Sequence, residues 1–391
     1  MMLKTDNRRS RSILTLGGTI TYSRYYLRPT DDNSREILRR EYHAESVCPT
    51  DEFLGTDNLP FRMTCSAALR IAKIALECSS YEQAEYHVSN EFGEHVSDDR
   101  IRQVVLYIGG IICKDVSMST ETSAARFNQT NIKLGKKRGR PSKEAFVLCM
   151  EVSEPAKNIY ICRSYALSHP EHVKSPVHVD YYMGNFDGFR NVVIREALDN
   201  GLEKARELVI VVDKEETAHF CREIFPYAKI IIGLNYLYDR ILLLGEQLAR
   251  NRQNSAYRAK YFSRQAIKHI EAGKWESIFE MNEVQKKKDN NAACAAVDDF
   301  KAYLERNSEY LQYQSFKQNH YPIDKTHQAG PQTEFEKNKI NKARWVWSLD
   351  TIPTYFALYS KLLSREWYSY VVPLIREKYR QKTVDNSVGS V

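Results

Sequence analysis

The chain has 391 residues, of which 42% are hydrophobic and 11% aromatic, so it can build packed cores and is not wholly disordered. Its 57 Lys and Arg residues against 50 Asp and Glu residues give a formal net charge of +7. That modest excess permits nucleic-acid binding without requiring it, and the length allows two or three domains.

The cysteines and the apolar runs indicate the class of protein. Eight cysteines form no C-x-x-C pair, which favours reduced thiols over a disulfide framework or a zinc ribbon. No apolar run reaches the roughly 20 residues of a membrane span. The basic N-terminus lacks the apolar core of a signal peptide. We therefore predict a soluble, cytoplasmic protein with no membrane partner.

The first predicted element is a β-hairpin over residues 13–28, where apolar and polar residues alternate around Gly17 and Gly18. Arginines at its ends, with tyrosines between them, can contact phosphates and stack on bases. Tyrosines on a two-stranded sheet can equally serve packing. Residues 29–60 are polar and are expected to be irregular, so residues 1–60 form an N-terminal segment of hairpin and irregular chain.

Residues 61–115 are predicted to form a helix-turn-helix DNA-binding region. Apolar residues recur at helical spacing, and Gly93 is placed to end the second helix. A third helix follows, whose first turns would present three side chains to DNA bases, namely Arg100, Arg102 and Gln103. Asp98 and Asp99 at the same tip would repel phosphates, so a plain helical packing unit remains the alternative.

Residues 116–135 are predicted to hold a Ser/Thr-rich linker followed by the first strand of a core. The sequence KKRGRPSK comes next and is the densest positive cluster in the chain, with Lys136, Lys137, Arg138, Arg140 and Lys143. Its Arg-Gly-Arg-Pro stretch resembles an AT-hook, which binds the minor groove of A·T-rich DNA. A solvated basic turn is the alternative.

A strand-helix-strand unit is predicted over residues 208–232, after two strands at residues 144–153 and 158–168. Such a unit indicates a parallel or mixed sheet, whose ligands lie at the carboxyl ends of the strands. Asp213 stands at such an end, although an aspartate there can also cap the following helix.

The predicted core thus covers residues 136–236, and three further segments complete the chain. Residues 237–330 read as a helical insertion, and residues 331–382 as aromatic-rich helices that close the core. The tail, residues 383–391, is expected to be disordered.

Several ordered stretches resemble DDE-type transposases of bacterial insertion sequences. The matching stretches are PTDEFLG, SYEQA, VIVVDKEETAHFCREIFPYAKIII, KAYLERNSEYLQYQSFKQNHYPI, AGPQTEFEK and ARWVWS, and the similarity runs over most of residues 13–375. The resemblance implies an α/β fold, a ribonuclease-H-like mixed sheet with a helical insertion, preceded by a β-hairpin and a helix-turn-helix region. It also implies binding to transposon ends and target DNA, with a homodimer as a further expectation.

The resemblance implies a metal site as well. Such enzymes hold two divalent ions, Mg²⁺ or Mn²⁺, with three carboxylates and displace a phosphodiester in line. It assigns the second carboxylate to Asp213 and the closing one to Glu334, whose helix carries Lys337, Lys339, Lys342 and Arg344 toward DNA. Glu334 can instead be a first-turn acid that the helix dipole favours.

The first catalytic aspartate of the family is missing. It should end the first core strand near residues 127–134, where Asn131 or Asn128 stands instead. Glu151, at the end of a later strand, is an alternative ligand, although a strand-end glutamate is often simply exposed. Replacing a carboxylate by an amide removes negative charge from a site that must hold two dications.

We therefore predict a transposase-like DNA-binding protein of an insertion sequence, in which metal-dependent phosphodiester cleavage and strand transfer are weakened or lost. One alternative is an active DDE transposase with a substituted first ligand. The other is an unrelated α/β protein with an interaction role, in which Asp213 is only a helix cap.

Overall fold

The computed structural model describes residues 2–42, 46–54, 61–129, 145–154, 159–168, 172–173, 177–250, 253–285, 291–323 and 351–385. The chain folds into two compact units: Met1–Met118 with Glu334–Val391 form the first, and Ser119–Thr333 the second. In the described ranges, none of the helices combines the length and apolar character needed to cross a lipid bilayer.

The first unit begins with the predicted hairpin, which is longer than its alternation pattern indicated. Strands β1 (Leu3–Thr15) and β2 (Gly18–Pro29) pair antiparallel, and Thr15 opposite Gly18 closes the turn. Gly18 has φ +95°, a left-handed conformation that glycine adopts without steric cost. The additional pairs involve charged residues such as Arg8 and Arg9, which carry no apolar alternation.

The expectation of irregular chain over residues 29–60 was wrong in part, because two helices lie there. They are α1 (Asp32–Tyr42) and α2 (Pro49–Leu54). Asp31 Oδ1 accepts a hydrogen bond from the Ser34 amide at 2.7 Å, which satisfies one free N–H group at the start of α1. The side chain of Asp51 attaches α2 to the hairpin.

Three helices follow at the positions predicted for the helix-turn-helix region: α3 (Cys65–Glu77), α4 (Tyr81–Phe92) and α5 (Asp98–Gln129). Ser80 Oγ caps α4 by accepting from the Gln83 amide at 3.1 Å, and Gly93 ends it with φ +66°. The predicted linker at residues 116–135 was wrong as far as residue 129, because α5 continues through it. Ser117 Oγ donates to the Cys113 carbonyl at 2.8 Å, so the hydroxyl is satisfied within the helix.

The last two helices of the chain, α13 (Ile352–Leu363) and α14 (Val372–Asp385), pack in the first unit. We expected residues 331–382 to close the core of residues 136–236; the described helices of that segment contact α3. The Tyr370 hydroxyl bonds the Asp115 carboxylate of α5. Both C-terminal helices therefore pack against α3 within the first unit.

The second unit contains a mixed sheet. Its strands are β3 (Ala145–Glu154), β4 (Ile159–Ser168), β5 (His172–Val173), β6 (His178–Met183), β7 (Glu207–Val212) and β8 (Lys229–Ile232). The order is β5-β4-β3-β7-β8, and β6 pairs with β4 on the same side as β5. β4 runs antiparallel to β3, and β6 antiparallel to β4, while β7 and β8 run parallel to β3. The mixed α/β class predicted from the sequence is confirmed at this level.

The helices of the second unit surround this sheet and continue beyond it. They are α6 (Phe186–Asp199), α7 (Glu215–Ile224), α8 (Leu234–Ala249), α9 (Ser255–Glu271), α10 (Asn282–Gln285), α11 (Asn291–Arg306) and α12 (Tyr313–Gln318). The five residues 208–212 of β7 are all buried, as a continuous apolar run requires. A buried ion pair between Arg195 and Asp180 joins α6 to β6.

Candidate functional site

Asp213 lies directly after β7, at the carboxyl end of the strand, and only 8% of its surface is exposed. The helix that follows has Lys214 at its N-cap position, with no side-chain bond to a helical N–H group. Thr217 Oγ1 donates to Asp213 Oδ1 at 3.4 Å. Asp213 is therefore a buried carboxylate at a strand end and does not occupy the N-cap position of α7.

The neighbours of Asp213 come from α7, β3 and the end of β8. Burial and, after it, the charge of Asp213 raise the pKa of the Cys221 thiol. That thiol donates to Met150 Sδ of β3 at 3.8 Å. Beyond β8, the Gly233 amide donates to the Val212 carbonyl at 2.8 Å, and the Tyr313 hydroxyl to the Ile232 carbonyl at 2.7 Å. Hydrogen bonds therefore fix the ends of β7 and β8, next to the carboxylate.

The register between β3 and β7 places Glu151 beside this position. Met150 pairs with Val212 in the parallel ladder, so Glu151 and Asp213 are the next residues along the two neighbouring strands. Neighbouring strands lie about 4.8 Å apart, so the backbones of these two residues are adjacent. From the sequence, Glu151 was only an alternative to the missing first aspartate. The register of a parallel strand pair is set by long-range pairing, and no local pattern reveals it.

The expected position of the first core strand was wrong. Residues 127–129, where that strand should begin, are the last turn of α5, and Asn128 there is exposed. The strand that runs parallel to β7 is β3, which starts at Ala145. Asn131 and Glu334 lie outside the described residues, as do the basic residues Lys136, Lys137, Arg138, Arg140, Lys143, Lys337, Lys339, Lys342 and Arg344.

The donor set for a divalent metal is incomplete in the described part of the chain. Three or more His, Cys, Asp or Glu side chains do not converge anywhere within it. A two-metal site needs several carboxylates, and Glu334, the closing carboxylate that the resemblance implies, lies outside the described residues. The residues described do not by themselves fit Mg²⁺ or Mn²⁺, and no catalytic step follows from them.

The residues predicted to read DNA lie at the start of α5, among acidic side chains. Gln103 Nε2 donates to Asp99 Oδ2 at 2.8 Å, and Arg100 donates to the Arg62 carbonyl at 3.4 Å, while Arg102 is exposed. The exposed acids nearby on α4, the turn and α5 are Glu82, Glu94, Asp98 and Asp99. Two of the three candidate residues, Arg100 and Gln103, therefore have partners within the chain. The negative charge of the acids around them would repel the phosphates of DNA.

Comparison with models of known protein families and with curated proteins found no match to this chain.

Proposed function

We propose that this protein is a transposase-like DNA-binding protein of an insertion sequence, built on a ribonuclease-H-like core whose phosphodiester cleavage and strand transfer are weakened or lost. The strand arrangement supports the fold. With the short β5 left aside, the order of strands across the sheet is β6-β4-β3-β7-β8. Strands β7 and β8 run parallel to β3, the first of the five along the chain. A ribonuclease-H-like sheet has this arrangement.

The position of Asp213 carries the proposal. It is a buried carboxylate at the carboxyl end of β7, beside the first strand of the sheet, where α/β sheets place their functional groups. DNA and Mg²⁺ or Mn²⁺ remain the partner and cofactor of this proposal, and DNA contact by the Arg-Gly-Arg-Pro segment belongs to it.

An active enzyme with Glu151 as a substituted first ligand is the second candidate. The register supports it, because Glu151 occupies the level of Asp213 on the adjacent parallel strand. Glutamate keeps the negative charge that asparagine lacks, so this ligand would retain more metal affinity than Asn131 would.

One experiment tests both candidates. The full chain is incubated with labelled duplex DNA from the ends of its element, in Mg²⁺ or Mn²⁺, and both binding and nicking are measured across a salt series. Weakened chemistry predicts salt-sensitive binding and little nicking. An active enzyme predicts metal-dependent nicking that Asp213→Asn and Glu151→Gln each abolish.

Glu154→Gln, the same substitution three residues further along β3, is the matched control and should leave nicking unchanged. Nicking that survives Asp213→Asn would refute the role of Asp213. A chain that binds no DNA would refute the proposed function as a whole and favour an interaction role for an unrelated α/β protein.

A further inference from the structure

Helix α9 carries an unusually basic surface. Over Ser255–Glu271 it has four Lys and Arg residues, namely Arg258, Lys260, Arg264 and Lys268, against one acid, Glu271. Exposed helices in the same unit are mixed in sign, and α11, for example, has Asp298, Asp299 and Glu305 beside its basic residues. The charge of α9 is therefore a property of this helix and not of the unit.

The basic residues of α9 lie opposite its buried face. The buried residues are Ala259, Phe262, Ser263, Ala266 and Ile270. At 3.6 residues per turn, Tyr257, Tyr261, Arg264 and Lys268 fall on the other side of the helix, and Lys260 flanks them. Tyr257 and Tyr261 are 73% and 50% exposed, so two aromatic rings stand among the cations.

The cations of this face have no acidic partner in the described part of the chain. Lys260, Arg264 and Lys268 are exposed and take part in none of its ion pairs, and Arg258 Nε donates only to the Gln253 carbonyl, at 3.1 Å. Glu271 is paired with Lys317 at 3.0 Å, so the one acid of the helix is already neutralised. Helix α8, which packs against α9 at Gly245, carries two exposed acids, Asp239 and Glu246.

We propose that this face of α9, made of Tyr257, Lys260, Tyr261, Arg264 and Lys268, binds the sugar-phosphate backbone of duplex DNA. The inference rests on the proposed function in taking DNA as the partner. It adds α9 to the elements for which DNA contact is predicted. Lys, Arg and Tyr are among the side chains that donate to phosphate oxygens, and such contacts carry no information on the base sequence.

The dimensions and chemistry of the face favour a nucleic-acid backbone over a lipid surface. From residue 257 to residue 268 the helix spans about 17 Å, which matches roughly five base pairs of one strand. A membrane-surface helix inserts its apolar face, but the apolar face of α9 is already buried in the core. Only the charged face is available, and it suits a regular row of phosphates.

The test compares two charge-matched double variants of the full chain. Arg264→Gln with Lys268→Gln removes two cations from α9, and Lys301→Gln with Arg306→Gln removes two exposed cations from α11. Binding to a fluorescein-labelled mixed-sequence duplex is measured by anisotropy across a salt series. The α9 variant should bind more weakly, and its slope of log K against log salt should be smaller by about 1.8, since each phosphate contact contributes about 0.9. The α11 variant should match the wild type.

Equal slopes for the wild type and both variants would overturn the α9 proposal while leaving DNA binding intact. If the wild type does not bind the duplex, the proposed function and this inference both fail. Vesicles of phosphatidylserine in phosphatidylcholine serve as a second probe. A loss of vesicle binding without a loss of DNA binding in the α9 variant would overturn the proposal in favour of a lipid surface. Thermal melting of both variants checks that the folds are equal.

Discussion

At the residue scale, Asp51 is a buried acid of the first unit that three side chains bind. It is 1% exposed and accepts from Arg11 at 2.9 Å, from Arg24 at 2.5 Å and from the Tyr22 hydroxyl. Burial alone would raise the pKa of Asp51, but the hydrogen bonds from Tyr22 and Arg24 and the charge of Arg11 outweigh it, and the pKa lies below its ordinary value. The carboxylate therefore joins α2 to both strands of the hairpin.

We expect Asp51→Ala to lower the free energy of unfolding by about 3 kcal/mol, because it leaves two arginines in a partly buried site without their counter-charge. A depressed folded-state pKa stabilises the protein above the unfolded value of about 4, and this contribution is lost as the pH falls through the folded pKa. Urea unfolding at neutral and acidic pH should show that acid lowers the free energy of unfolding less in the variant than in the wild type. Asp32→Ala, at an exposed acid of α1, is the control. An equal change in the free energy of unfolding for both substitutions would contradict the stabilising role of Asp51.

At the element scale, the approach of α5 to α13 depends on a glycine. A Cβ atom at Gly109 would lie 2.5 Å from the Thr354 backbone oxygen, so any side chain would force the two helices apart. A Cβ atom at the adjacent Gly110 would meet no atom within 4 Å. The two glycines are neighbours in one helix but differ in what they contact.

Gly109→Ala should therefore destabilise the protein by about 1–3 kcal/mol, the usual cost of overpacking. Gly110→Ala should stabilise it by up to about 1 kcal/mol, because alanine has the higher helix propensity. Thermal or urea unfolding measures both changes. Opposite signs for the two variants are the decisive result, and stabilisation by both would mean that α13 does not pack against Gly109.

At the scale of the whole molecule, the two units differ in how the chain builds them. The second unit is one continuous segment, Ser119–Thr333, whereas the first combines Met1–Met118 with Glu334–Val391. Buried residues of α13, among them Tyr355 and Tyr359, belong to the core of the first unit. The end of α5 is fixed within the second unit by the bond from Arg195 to Thr120 at 2.9 Å.

We expect the fragment of residues 119–333 to fold alone, because its sheet and the helices α6 to α12 lie within one segment. The fragment of residues 1–118 should unfold without cooperativity, since α13 and α14 are missing, and it should recover a cooperative transition when residues 334–391 are co-expressed. Circular dichroism melting distinguishes these cases. A cooperative transition of residues 1–118 alone would show that the C-terminal helices are dispensable.

Helix caps, turn glycines and apolar runs in the sequence are the local signals that correctly predicted parts of the fold. Ser80 and Gly93 bound α4 because caps act within one helical turn, and Gly18 closes the hairpin because a tight turn needs its φ. The apolar run ending at Asp213 identified β7 because a strand covered on both faces needs no polar residue. Strand β6 was not predicted, since HVDYYM has no clear alternation and its pairing with β4 is long-range.

The sequence by itself determined the hairpin turn, the bounds of α4 and the strand end that carries Asp213, because propensity, capping and hydrophobic period act over a few residues. Tertiary structure decided that α5 continues through a polar stretch and that the C-terminal helices pack on α3. It also decided that Glu151 lies level with Asp213 on the neighbouring strand. Those outcomes depend on pairings between residues far apart in the chain, and no local pattern encodes which distant surface a strand or helix will meet.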